Sequence, residues 1–304
     1  MRMRLAGVSL LVLSSLAALV GDIADTAGSA TRSLSVPRAP IAALPPQLQA
    51  LELKMQQLHV NSERYTQISR GTVTIVNETN GKPVGREKSV SLDENISGEV
   101  SISPPQAEVI DTNTGKPIQI QIGSTEYEYS REIARKHPRR AWIRRKDADS
   151  SAFPSYSSPL EVFASPGDAS VGGEGSYAQL FNLLTTAVGS VAVLGSVSVD
   201  GQATTEFTAD VEPLRLIRGL TVEDVRNLEK HPVLTKLTIF LSEAGFPLRV
   251  TLSQSAQHAH VTETTDITAV EVPLSISPPP PGETISVARA RKLEGPGHKV
   301  TVSS

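Results

Sequence analysis

Short runs in which apolar and polar residues alternate recur along most of the chain, with turn signals between them. The clearest run, at 118–122, reads Ile-Gln-Ile-Gln-Ile, and its strand is expected to continue through Tyr129. A period of two is typical of a β-strand with one buried face and one solvated face. Asn80-Gly81 marks one turn, and Asp200-Gly201 is a strong signal for a two-residue hairpin. The chain is therefore predicted to fold mainly as antiparallel sheet.

Two amphipathic helices and one shorter helix are predicted beside these strands. In the first helix, 48–65, and in the second, 176–188, apolar residues recur at steps of three and four. The third helix begins at Thr221 and ends at Pro232. Strands and helices do not alternate, which argues against Rossmann and TIM-barrel folds. The tally of about seven to eleven short strands predicts an α+β fold, with helices on one face of a curved sheet.

The first 30 residues are predicted to be a secretory signal. Arg2 and Arg4 precede an apolar stretch, and Gly28-Ser29-Ala30 supplies the small residues of a cleavage site. The stretch from Leu5 to Val20 is shorter than the roughly 20 residues that span a bilayer, and no later segment approaches that length. The mature chain is therefore expected to be soluble and extracytoplasmic.

The mature chain is expected to consist of one domain with two loosely structured ends. Residues 31–46 are rich in proline and read as a leader, whereas 47–287 carry the strand and helix signals. Residues 288–304 are basic and contain Gly and Pro, and are predicted to form a flexible tail. The sequence leaves the oligomeric state open.

Composition and missing motifs argue against several functions. The net charge is −3, without the basic excess of nucleic-acid-binding proteins. There is no cysteine, which excludes disulfides and thiolate metal sites. No G-x-S-x-G, H-E-x-x-H, Walker or dinucleotide motif occurs. His258 and His260 share a strand face, but two ligands fall short of the three or four that zinc needs. We therefore expect no enzyme activity, no cofactor and no metal site.

Four segments, in this order, are similar to a known group of exported proteins. They are the helix 48–65, the hairpin 198–207 (Ser-Val-Asp-Gly-Gln-Ala-Thr-Thr-Glu-Phe), the turn 244–249 (Ala-Gly-Phe-Pro-Leu-Arg) and the run 261–267 before the proline cluster. The chain resembles the actinobacterial LppX/LprA/LprF/LprG-type proteins of the LolA-like superfamily. The resemblance implies a half-open antiparallel β-barrel of about eleven strands, with helices covering its concave side and an apolar cavity between them. It also implies binding or transfer of lipids or acylated glycolipids.

The chain departs from that group at one position. Members usually carry a cysteine directly after a Leu-x-Gly segment, and this cysteine is acylated. Here Leu19-Val20-Gly21 is followed by Asp22. The protein is therefore expected to lack a lipid anchor, and to be free or peripherally associated with the envelope.

Apolar residues of the alternating strands are the candidates for lining a ligand cavity, because ligand sites favour concave apolar surfaces. The same alternation would equally form an ordinary packed core. The candidate positions are Val73, Ile75, Ile118, Ile120, Ile122, Leu237, Ile239, Leu241, Val250 and Leu252.

The segment 131–146 concentrates positive charge and is a candidate for contact with anionic lipid headgroups. A tryptophan in such a segment could lie at the headgroup boundary. Charge runs of this kind also occur as solvated loops. The residues proposed for this headgroup patch are Arg139, Arg140, Trp142, Arg144 and Arg145.

Two functional hypotheses follow. The first is an exported lipid-binding protein that holds acyl chains in an apolar cavity. The second is a non-enzymatic extracytoplasmic interaction or envelope-sensing domain with the same fold, which would recognise a protein partner.

Overall fold

A computed structural model gives the fold. It describes Lys54, Leu58 and the ranges 60–75, 78–79, 82–83, 88–101, 104–146, 188–211, 234–256 and 259–294. The signal segment, the proline-rich leader and the second and third predicted helices lie outside these residues, as does the end of the basic tail. Lys54 is helical, but a strand begins at Ser62, so the first helix does not extend to Tyr65 as predicted.

Fourteen strands and two α-helices are described. The strands are β1 (Ser62–Ile75), β2 (Glu78–Thr79), β3 (Lys82–Pro83), β4 (Lys88–Ser101), β5 (Gln106–Asp111), β6 (Lys116–Ile122), β7 (Thr125–Tyr129), β8 (Trp142–Arg145), β9 (Val188–Val199), β10 (Gln202–Val211), β11 (Leu234–Ser242), β12 (Pro247–Ala256), β13 (Ala259–Val270) and β14 (Thr284–Ser286). The helices are α1 (Arg131–Lys136) and α2 (Val287–Glu294).

Twelve of these strands form one curved sheet, in the order β14-β8-β7-β6-β5-β4-β1-β13-β12-β11-β10-β9. Every neighbouring pair is antiparallel except β14 and β8, which run parallel. Among the described strands, the outermost two, β14 and β9, do not pair with each other, so the sheet is unclosed. The predicted α+β fold built on a half-open antiparallel barrel is thus confirmed, with twelve strands in the sheet instead of about eleven.

Hairpin turns account for most of the connections. Asp200 and Gly201 both have positive φ, at 49° and 83°, which confirms the two-residue hairpin predicted between β9 and β10. Gly123, with φ 57°, and Ser124 form a further turn between β6 and β7. The strand predicted to run on to Tyr129 is therefore two antiparallel strands. Asn80-Gly81 lies outside the described residues, although the flanking pairs 78–79 and 82–83 are antiparallel.

Both described helices pack at the β14 end of the sheet. The Ser130 hydroxyl caps α1 by accepting a hydrogen bond from the Ile133 amide at 3.3 Å. Ile133 packs with Ile143, Ile285 and Ala290 in a small core cluster. Residues 288–294, expected to belong to a flexible tail, are instead part of α2. The helices predicted over the concave side fall outside the described residues.

The larger core joins strands that are far apart in the sheet order. Phe207, Ile239, Leu241 and Val100 are fully buried in one cluster, which brings β10 and β11 together with β4. In the same sheet, the Tyr65 ring lies against Gly98, where a Cβ atom would collide with it. An aromatic ring over a strand glycine occupies the space that a side chain would take, so Gly98 is required for this packing.

Candidate functional site

The register of the sheet defines one continuous buried face, here called the inner face. One row across eight strands contains Val193, Phe207, Ile239, Val250, Thr265, Gln67, Ile96 and Asp111. Side chains that are paired across strands point to the same side of a sheet. Most of the strongly buried residues of the described sheet lie on this face, and the other face is here called the outer face.

The β9–β12 half of the inner face is apolar. Leu237, Ile239 and Leu241 are at most 2% exposed and belong to the larger core. Val250 and Leu252, on the next strand, pack against that core but are only partly buried. The structure thus brings five of the ten predicted lining residues together on one face, where partly covered apolar side chains border fully buried ones.

The other predicted lining residues are divided. Ile118 packs against Ile96 and Val109, which are inner-face residues, because a register shift in β5 opposite β6 alters the alternation there. Ile120 and Ile122 pair with Tyr127 and Thr125 and lie on the outer face, so they cannot share one surface with Leu237. Val73 and Ile75 lie on β1, and their side chains are outside the described part of the structure.

The centre of the inner face is polar, which sequence patterning did not predict. On neighbouring strands β12, β13, β1 and β4, the register places six polar side chains close together. We call them the polar cluster: Gln254, Glu263, Thr265, Gln67, Ser69 and Glu94. Gln67 is 1% exposed and Gln254 is 6% exposed. Amides buried to this extent are normally hydrogen-bonded, because an unpaired buried polar group retains its full desolvation cost.

Several atoms of the polar cluster have no such partner. The Gln67 amide hydrogen-bonds to Glu263. Within the described structure, Oε1 of Gln67, Nε2 of Gln254 and Oε2 of Glu263 are buried and make no hydrogen bond. Since these atoms come from three adjacent strands on one face, the cluster offers both donors and acceptors to whatever else lies against it.

Glu263 is the titratable centre of the cluster. Burial disfavours its charged form and raises its pKa to about 7, from an ordinary value of 4.5. A hydrogen bond with the Gln67 amide lowers the pKa of Glu263 in part, and a hydrogen bond with the Ser69 hydroxyl does the same. The negative charge of the nearby Glu94 carboxylate raises this pKa further. The carboxyl of Glu263 is therefore close to its midpoint of ionisation at neutral pH.

The outer face carries short-range polar pairs instead. Ser253 and Thr262 hydroxyls lie 3.1 Å apart. His260 Nδ1 lies 2.7 Å from the Ser255 hydroxyl, and His258 is outside the described residues. No three His, Asp or Glu side chains are grouped as metal ligands in the described parts of the chain.

The proposed headgroup patch is only partly a surface. Arg139, Arg140 and Arg144 are exposed. Trp142 is 7% exposed, and its ring packs edge-on against the Tyr129 ring, with 5.4 Å between the ring centroids. It therefore does not project toward a headgroup boundary. Arg145 lies on the inner face and forms ion pairs with Glu126 at 3.4 Å and Glu128 at 2.8 Å. In the described residues, neither helix has the length and apolar character needed to cross a bilayer.

Comparison with known proteins gives structural likenesses only. No protein-family model and no curated protein matches the sequence. Among solved structures, the chain is similar to lipoprotein LppX of Mycobacterium tuberculosis (13% identity, 76% of this chain and 99% of that one, TM-score 0.39). It is also similar to LprF of Mycobacterium bovis (12% identity, 77% of this chain and 98% of that one, TM-score 0.39). A putative outer membrane lipoprotein-sorting protein domain of Vibrio parahaemolyticus matches at 8% identity, over 75% and 93%, with a TM-score of 0.23. LppX and LprF are two of the proteins that the sequence resembles.

Proposed function

We propose that this protein is an exported lipid-binding protein that holds acyl chains against the apolar half of the inner face. The observation that carries the proposal is the position of Val250 and Leu252. They continue a fully buried apolar core across the sheet, yet are themselves only partly covered. An acyl chain lying over them would gain about 0.8 kcal/mol for each CH₂ removed from water.

The unclosed sheet supports access to such a site. Since β9 and β14 are not paired in the described structure, a ligand can approach the inner face without breaking a strand pair. The signal-like pattern of residues 1–30 supports a site outside the cytoplasm, and the sequence contains no cysteine to which an acyl group could be attached. The exposed Arg139, Arg140 and Arg144 would provide peripheral contact with anionic membrane surfaces, at about 1 kcal/mol per residue near the surface.

A matched pair of variants tests the site. Val250→Thr keeps the side-chain shape but places a hydroxyl on the inner face. Thr251→Val makes the reverse change one residue along, on the outer face, where Thr251 lies 3.2 Å from the Thr264 hydroxyl. We expect Val250→Thr to weaken binding of a dansyl-labelled fatty acid severalfold, and Thr251→Val to leave it unchanged. Absence of saturable binding by the delipidated wild-type chain would refute the proposal.

A second candidate function, that of a protein-interaction domain, is favoured by the outermost strand β9. Leu194 is 58% exposed and Val197 is 40% exposed, beside a strand edge that pairs with nothing else in the described structure. Exposed strand edges readily accept a further strand. If Leu194→Ser abolishes capture of a partner by a chain that binds no lipid, this function replaces the first.

A further inference from the structure

The consecutive prolines before β14 have a conformation that the sequence itself fixes. Pro278, Pro279 and Pro280 are each a proline and each precede a proline. The ring of a proline sets φ at about −65°, and the ring that follows excludes the helical region and leaves ψ at about 120° to 160°. These values define polyproline II, and Pro280 has φ −52° and ψ 134°. The run 278–281 is therefore a rigid polyproline II segment that is formed before any partner binds.

Two of the three sides of this segment face solvent. A polyproline II helix has three residues per turn, so Pro278 and Pro281 lie on the same side, about 9 Å apart along the axis. Both are exposed, as is Pro280 on the second side. Pro279, on the third side, is buried and attaches the segment to the domain. The Pro280 carbonyl oxygen fixes the end of the segment by accepting a hydrogen bond from the Glu283 amide at 2.9 Å.

The connection between two strands explains the extended backbone of this segment but not its exposed rings. The segment joins β13 to β14, and β8, β7, β6, β5, β4 and β1 lie between these two strands in the sheet. Any residue that tolerates an extended backbone could occupy the positions that face solvent. The prolines found there, Pro278, Pro280 and Pro281, are here called the proline ridge. Because the ridge is rigid, a partner that fits it avoids most of the entropic cost of ordering a peptide.

The surface around the proline ridge is mainly cationic. The 3-10 turns Pro138–Arg140 and Pro281–Glu283 pack against each other, since they lead into β8 and β14, which are paired in parallel. Helices α1 and α2 pack at the same place. The exposed cations of these four elements are Arg135, Lys136, Arg139, Arg140, Arg289 and Lys292. They outnumber the acids of the same elements, which are Glu132, Glu283 and Glu294.

We propose that the proline ridge is the docking site for a protein domain whose aromatic-lined groove is bordered by carboxylates. Such grooves bind PxxP segments in the polyproline II conformation, and Pro278 and Pro281 have this spacing. Aromatic rings of the partner would pack on the proline rings, while its carboxylates would pair with Arg139 and Arg140. The inference does not depend on lipid binding, because the ridge adjoins β14, at the opposite edge of the sheet from the apolar half on β9–β12.

The probe is an isotope-labelled SH3 domain with carboxylates beside its aromatic groove. It is titrated with the full mature chain, so that its own amide resonances report both the affinity and whether the groove is occupied. We expect saturable shifts confined to the groove. The same SH3 domain with these carboxylates changed to amides should bind about tenfold more weakly at low salt, because it loses the charge complementarity.

Variants locate the docking site on this chain. Pro278→Ala and Pro281→Ala each remove one ring of the PxxP spacing and are expected to weaken binding about tenfold, as expected for an anchor that fills its own pocket. Pro104→Ala is the matched control, because Pro104 is also exposed but lies in the turn between β4 and β5. Arg139→Gln should weaken binding severalfold at low salt and have little effect at high salt. Circular dichroism checks that each variant is folded.

Three outcomes would overturn the proposal. The first is an SH3 domain that shows no shifts, or shifts only outside its groove. The second is undiminished binding by both Pro278→Ala and Pro281→Ala. The third is an Arg139→Gln variant that loses binding to phosphatidylglycerol vesicles but binds the SH3 domain as wild type does at low salt, which would make this surface a membrane contact. None of these outcomes changes the expectation that the inner face binds acyl chains.

Discussion

Ionisation of Glu263 makes the stability of this protein depend on pH in a direction opposite to that of most carboxylates. Its pKa is raised from 4.5 to about 7 by burial. At pH values between 4.5 and about 7, the folded state therefore keeps a proton on Glu263 that the unfolded state has released. The contribution of the protonated group to the free energy of unfolding is fully present below pH 4.5 and is lost as the pH rises through about 7.

The variant Glu263→Gln removes this dependence, because an amide stays neutral. At about 1.4 kcal/mol per pKa unit, the full shift corresponds to roughly 3 kcal/mol, of which about 2 to 3 kcal/mol develops between pH 5 and pH 8. We expect the free energy of unfolding of the variant, relative to wild type, to rise by that amount over this interval. Urea denaturation followed by circular dichroism at several pH values measures it.

Glu243→Gln is the control for the loss of one negative charge, since Glu243 is exposed in the turn between β11 and β12. A difference between Glu263→Gln and wild type that stays constant from pH 5 to pH 8 would refute the reasoning. It would mean that Glu263 is ionised at the same pH in the folded and unfolded chains.

Three other substitutions are expected to change stability in ways that urea denaturation can measure. Ile239→Ala should cost about 2 to 5 kcal/mol, because Ile239 is completely buried in the larger core; a loss below about 1 kcal/mol would contradict that packing. Gly98→Ala should cost about 1 to 3 kcal/mol, since the new methyl group meets the Tyr65 ring, and no loss at all would show that the ring moves freely aside. Gln254→Met should leave the free energy of unfolding unchanged or raise it by about 1 kcal/mol, because it removes a buried amide nitrogen that has no partner within the described structure; a clear loss would indicate that this amide is already satisfied.

The sequence predicted the strands better than the faces of the strands. Alternation at 118–122 correctly indicated β6, but a period of two does not say which set of residues points inward. Ile120 and Ile122 were expected to face a cavity, but they lie on the outer face, and Gln119 and Gln121 lie on the inner face. Gln119, Ile120 and Gln121 are all at most 4% exposed, so both faces of this strand are covered and apolar character does not distinguish them.

Long-range register explains what else the sequence could not predict. Gln67, Glu263 and Gln254 are separated by many residues and are polar, so each alone reads as a solvated strand position. Only the pairing of β1 with β13, and of β13 with β12, places them on one buried face. The Asp200-Gly201 hairpin was predictable for the opposite reason, because its geometry depends on two adjacent residues.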